Sequence, residues 1–318
     1  MKEYISGRIT ANGGKNLPVL IKKKIIKSVP YYILILLPLI YLLIFKYQPM
    51  YGVQIAFRDF SPKLGFMGSP WAGLKYFKMF LEAPSARQII WNTFIISLYT
   101  LLAGFPIPII LAICLNEVRI RPFKKFVQMM TYMPYFISTV VLVAIINQFT
   151  DLHVGIINIF LKIFTGETIN FMGNIAYFRH IFVWTGVWQT AGYSAVIYIA
   201  ALSGVNAELY DAAYVDGASK LRRIWHIDFT CIMPTIVILL ILNTGQILSV
   251  GFEKIYLMQS SANLSQSEVI STYVYKLGVQ NSNFSMSSAV GLFNSIINFI
   301  MLILCNTISK KIGDIGVW

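Results

Sequence analysis

Asp211, Ala212, Ala213, Asp216, Gly217 and Ala218 lie in a polar stretch, 208–234, between two long apolar segments. Two carboxylates among four very small residues make no nucleophile, metal cage or acid–base pair. They make a contact surface. Leu209, Ala212 and Ala213 stand at i, i+3 and i+4, one face of a short helix over 207–216, with Glu208 and Asp211 beside it. Gly217 permits a sharp reversal. Asp216 is placed to cap a helix restarting at Ala218 by accepting from the Ser219 amide. Small side chains let a second surface approach this backbone closely. Lys220, Arg222 and Arg223 follow, suited to inner headgroups or to acidic groups on a partner. An ordinary solvated loop fits the same spacing.

A second set of polar residues lies inside the apolar segments. Gln189 and Tyr193 share a helical face, with Trp184 and Trp188 four apart on the same segment. Asn243 pairs in this way with Gln246, and Asn294 with Asn298. Amides exchange hydrogen bonds with hydroxyl groups, and aromatic faces stack on flat ring surfaces, so the set suits a weakly charged, hydroxyl-rich solute. Each residue also has a plain structural use. Amides bond between helices, and Trp and Tyr near span ends anchor at the interface.

These residues need long helices to hold them. The chain has 318 residues, 57% hydrophobic and only 12% charged, too few charges to cover a soluble protein of this length. A spanning helix needs about 20 mostly apolar residues. Six stretches qualify: 29–45, 91–115, 129–150, 181–203, 231–252 and 288–308, none holding Asp, Glu, Lys, Arg or His. The expected fold is an all-α polytopic membrane protein with six spans. Its parts would be a basic tail (1–28), a first span with a long outer loop (29–90), a core (91–308) containing the loop 204–230, and a short tail (309–318). Pro106 and Pro108 predict a kink in the second span, and 71–80 reads as a helix along the outer membrane surface.

The net charge of +13 fits membrane orientation better than nucleic-acid binding. With a cytoplasmic N-terminus, the inner segments hold 16 of the 26 basic residues, so both termini are expected inside. Cys114, Cys231 and Cys305 lack any paired spacing and read as packing residues. His153, His180 and His226 are scattered, so neither a metal site nor a catalytic residue is expected. Gly13-Gly-Lys15 lacks the first glycine and the Ser/Thr of a phosphate loop, so energy must come from another chain.

The stretch 208–234 resembles the EAA motif of type I ABC importer permeases, roughly E-A-A-x-x-D-G-A with a later I-x-L-P and a second proline. Asp211 stands for its Glu, Phe229 for its Leu and Thr230 for its first proline, while Ile227 and Pro234 fit. Further strings resemble the LplB-like saccharide subgroup of that family. They are Phe45-Lys-Tyr-Gln-Pro-Met-Tyr-Gly52, Ile55-Ala-Phe-Arg-Asp-Phe-Ser-Pro62, Gly68-Ser-Pro-Trp-Ala-Gly-Leu74, Tyr132-Met-Pro-Tyr-Phe-Ile-Ser138, Thr272-Tyr-Val-Tyr275, Ala289-Val-Gly-Leu-Phe293 and Trp318. The resemblance implies a bacterial cell-membrane permease that pairs with a second, different permease. It implies that the elbow at 207–220 contacts one subunit of an ATPase dimer. ATP and Mg would be used there and no cofactor held by this chain. An external solute-binding protein would deliver an oligosaccharide. The same machinery carrying a peptide or other organic solute is the alternative. A membrane enzyme lacks any supporting DxD or HExxH constellation.

Overall fold

The computed structural model describes residues 17–313, with side chains from Ser28 to Lys311. Most of the proposed basic tail and the end of the C-terminal tail, including Trp318, lie outside the described residues. The chain falls into two units, Met1–Gln54 and Ile55–Trp318.

The N-terminal unit holds α1 (Leu17–Leu42), which runs on through a π turn at Leu43–Tyr47. The candidate span Ser28–Phe57 has 30 residues, longer than the 29–45 expected from composition, because helical backbone continues past Lys46.

In the second unit the helices follow in the order α2 (Lys75–Glu82), α3 (Ala86–Gly104), α4 (Pro106–Glu117), α5 (Arg121–Tyr132) and α6 (Thr139–Thr150). Then come α7 (Ile156–Thr165), α8 (Ile175–Ser203), α9 (Ala207–Val215), α10 (Lys220–Arg223) and α11 (Phe229–Thr244). The run closes with α12 (Phe252–Met258), α13 (Ile270–Tyr275) and α14 (Phe284–Gly313). Helices dominate because apolar surroundings leave no water to satisfy backbone polar groups. Among the described residues there is no strand, only a bridge between Arg58 and Trp71.

Two further spans differ from the sequence reading. The stretch 129–150 is not one helix: Arg121–Phe136 and Thr139–Thr150 meet at 100°. Pro134 sits in a 3₁₀ turn, and Ser138 accepts from the Val141 amide to start α6. The stretch 231–252 stops being helical at Thr244 and turns tightly through 245–251. Four described helices are long and apolar enough to cross a membrane, or five with the bent pair. α8 has ample length with 29 residues, but its Trp, Tyr, Gln and Thr side chains make it too polar for the same test.

That polarity is tolerated because α8 packs against α3, α4, α5 and α11. One apolar core joins Ile96, Leu142, Phe178, Val183 and Val187. Another joins Ile109, Ala112, Ala195, Tyr198, Ile232 and Ile236. The second span is broken only at Phe105, and the proline break leaves Ala86–Glu117 a single span. Helix α2 overlaps the expected 71–80 but starts four residues later, at Lys75, and ends two later, at Glu82. Its Phe80 is buried against Tyr273 and Phe293, so this helix docks on protein as well as facing outward.

Candidate coupling elbow and passage

The elbow is a helix stop followed by a helix start. Asn206 caps α9 by accepting from the Glu208 amide at 3.1 Å. At the other end the Gly217 amide donates to Tyr214 O and the Ala218 amide to Ala213 O. This pair of bonds is the Schellman pattern, which requires a left-handed residue after the cap. Gly217 fills it with φ +66°. Asp216 therefore ends α9 and does not cap the next helix, contrary to expectation. Ser219 does that, accepting from the Arg222 amide at 3.4 Å. Asp211 and Ala212 are exposed, while Ala213 and Ala218 are half-buried. Lys220 pairs within its own chain, with Glu117 at 3.1 Å, where the sequence reading gave it to headgroups or a partner.

The tip carries an apolar surface that the sequence reading passed over. Tyr214 is 78% exposed, Val215 85% and Leu221 79%. They flank the reversal and its small residues, leaving the tip of the elbow apolar and exposed.

The passage candidates separate into two groups. A cavity of about 550 Å³ is lined by Tyr193, Asn243 and Gln246, within the about 300–1,000 Å³ typical of small-molecule sites. Ser97, Thr100, Tyr135, Thr190 and Ser194 join them on its wall, and no charged side chain lines it. Tyr135 stacks on Tyr193 with ring centroids 3.9 Å apart and planes 7° from parallel. The spacing Thr190, Tyr193, Ser194, Ile197 marks one face of α8, a signal present in the sequence that went unused.

Gln189, Asn298, Trp188 and Asn294 do not line this cavity. Gln189 donates to Ile137 O at 2.8 Å, satisfying a carbonyl freed by the 100° bend. Asn298 accepts from the Leu248 amide at 2.9 Å and reaches Ser249 Oγ at 3.3 Å, bracing the turn after α11. Both serve the rule that irregular backbone at membrane depth needs side-chain partners. Trp188 is exposed, and the Asn294 Oδ1 is buried without a hydrogen-bond partner.

Beside the cavity, in α12 and outside the spanning helices, Lys254 is 8% exposed. Its Nζ donates to Phe182 O and Thr185 Oγ1, both at 2.8 Å, and lies 4.9 Å from the Phe182 ring centre. Burial brings its ammonium down to about 7.

Residues 104–314 match the family described as binding-protein-dependent transport system inner membrane component. The chain is 42% identical over 295 residues to the polygalacturonan/rhamnogalacturonan transport system permease protein YteP of Bacillus subtilis strain 168, covering 93% of this chain and 92% of that one. It is 42% identical to Protein LplB of the same organism, covering 90% of each. A bacterial ABC transporter chain involved in import of the acidic polysaccharide alginate superposes with a TM-score of 0.85 at 34% identity. That match covers 92% of this chain and 99% of the other. The fold is that of a type I ABC importer permease, a membrane component whose ATP is hydrolysed by a separate subunit. With about two thirds of its length inside the family match and two relatives at 42% identity aligned over 90% or more of this chain, it belongs to the binding-protein-dependent transport system inner membrane components.

Proposed function

We propose that the chain is one of two permease subunits forming the passage of an ATP-driven oligosaccharide importer. The cavity carries this reading. Its wall combines stacked Tyr135 and Tyr193 with Ser97, Thr100, Asn243 and Gln246, the mixture of ring faces, hydroxyls and amides that sugars use. The relatives named for polygalacturonan/rhamnogalacturonan and alginate transport support the same class.

Asp211, Ala212, Ala213, Asp216, Gly217 and Ala218 would then meet one subunit of a cytoplasmic ATPase dimer. Both termini lie in the cytoplasm on this reading. A second, different permease supplies the rest of the wall, and an external binding protein hands over the sugar. The related alginate importer has been solved with an alginate pentasaccharide-bound periplasmic protein, which supports such a partner. ATP and Mg are used by the ATPase, with no cofactor on this chain.

The test is uptake by the reconstituted transporter with its cognate binding protein. Oligosaccharides should be accumulated only with ATP, and peptides should neither be carried nor compete. Accumulation of peptides instead would replace the cargo assignment.

A further inference from the structure

The elbow is tied to the cavity wall through one phenol. Tyr210, on the inner side of α9, donates its hydroxyl proton to Asp228 Oδ1, and the Asn116 side chain stands near enough to act on the same phenol. Asp228 is 0% exposed and closes the π turn Ile224–Asp228 that leads straight into α11. Asn116 belongs to the last turn of α4. Three elements therefore come together around one phenol.

Two of them are cavity helices. α11 contributes Leu239 and Asn243 to the lining, with Gln246 in the turn just after it, and Pro108 of the lining stands in the first turn of α4. The Lys220–Glu117 pair, at 3.1 Å, is a second tie between elbow and α4. It is partly exposed, and pairs of that kind contribute little. The bond from the half-buried phenol to the fully buried Asp228 carboxyl is the stronger link.

The chemistry favours a rigid joint. Apolar contacts let helices slide, whereas a buried directional bond is either made or lost. The second carboxyl oxygen of Asp228 has no partner, so among the hydrogen bonds of the described residues Tyr210 alone holds this side chain. Losing the phenol would leave a buried acid wholly unsatisfied. Burial, then the neighbouring Asp228, pushes the Tyr210 hydroxyl well above the ordinary tyrosine value. The proton stays on the phenol at any physiological pH, and the bond keeps its direction.

We infer that Tyr210 is the positioning residue that makes the elbow, α4 and α11 move as one body, transmitting displacement of the tip to the passage. It touches neither ATPase nor cargo. This inference rests on the importer reading for its functional consequence, but the joint itself can be measured separately.

The experiment uses the complete transporter with Tyr210→Phe, Asp228→Asn and Asp228→Leu variants. Three quantities are read: assembly, transported oligosaccharide per ATP hydrolysed, and amide hydrogen exchange over 207–215 against 229–244. Tyr210→Phe should assemble and hydrolyse ATP, yet transport per ATP should fall about tenfold, the scale of a lost buried hydrogen bond. Exchange should rise in 207–215 and stay unchanged in 229–244. Asp228→Asn keeps an acceptor and should retain most coupling, whereas Asp228→Leu should behave like Tyr210→Phe. Unchanged transport per ATP in Tyr210→Phe would overturn the inference. So would equal damage in Asp228→Asn and Asp228→Leu, or loss of assembly in step with transport. A wild-type transporter that carries no oligosaccharide would refute the importer reading instead, while the exchange pattern still decides whether the joint exists.

Discussion

The Thr131 carbonyl lies against the α-carbon of Gly192, so closely that a Cβ there would stand 2.0 Å from the oxygen. The contact joins α5 to the centre of α8, three residues after Gln189 satisfies the bend and one before Tyr193 stacks on Tyr135. Close backbone approach through glycine is a common means of packing helices in membranes. Gly192→Ala would force α5 and α8 apart, with an overpacking cost of about 1–3 kcal/mol. Thermal unfolding of the detergent-solubilised protein should come several degrees earlier. Gly291→Ala is the control: nothing lies within 4 Å of a Cβ there, and α14 should be unchanged or slightly firmer. Equal melting of the two variants would show that α5 yields without cost.

Gly192 also shows how far the sequence could be read. The apolar stretches, the elbow and its reversal at Gly217 were legible because composition and local spacing determine them. The 100° bend was not, since Pro134 marks a break without giving its angle, and the apolar run continues across it. The partition of polar span residues was likewise hidden. Asn243 and Asn298 are the same residue type in similar surroundings, yet one lines a cavity and the other braces the turn at 248–249. Only tertiary packing separates them. The role of Asp228 was hidden for the same reason, since its partner Tyr210 is brought to it by the elbow's fold.

The Gly217 backbone makes a second prediction. No atom lies within 4 Å of a Cβ at this position, so space is not the constraint. Conformation is: φ of +66° costs an L-residue about 1–2 kcal/mol, and a β-branched one more. Gly217→Val should unwind the end of α9, displace Tyr214 and Val215, and reduce co-purification of the ATPase at least severalfold. Membrane insertion should be normal. Gly217→Asn, which tolerates the left-handed region, should recover most of the association. Wild-type association in the valine variant would mean that the reversal is not read by the ATPase.

Asn243 and Asn298 give a third, contrasting pair. Asn243→Ala removes an amide from the cavity wall and should raise the KM for uptake several-fold with little change in stability. Asn298→Ala strips the partner from the Leu248 amide, a buried group whose loss of a bond costs about 1–3 kcal/mol. It should lower thermal stability, with a fall in the amount of folded transporter exceeding any change in KM. Uptake kinetics and melting of both variants, measured on the same preparations, would show a reversed pattern if the roles were exchanged.

Lys254 governs the fourth. It has no ion-pair partner among the described residues, and Phe182, whose carbonyl and ring it contacts, belongs to the cavity wall. A cation in such low-dielectric surroundings acts over several ångströms with little screening. Lys254→Met should therefore reduce uptake of uronic-acid oligosaccharides by about fivefold relative to neutral ones, less than one pKa unit of interaction in free-energy terms. Because burial lowers the ammonium to about 7, the group is charged below that pH and neutral above it. Preference for acidic over neutral oligosaccharide should accordingly strengthen as pH falls from 8 to 6 in the wild type, and stay flat in the methionine variant. Uptake of paired acidic and neutral oligosaccharides of equal length, supplied on the same binding protein, measures this directly. A wild-type preference that ignores both pH and the substitution would leave Lys254 only its two hydrogen bonds to α8, a clasp between helices with no influence on cargo.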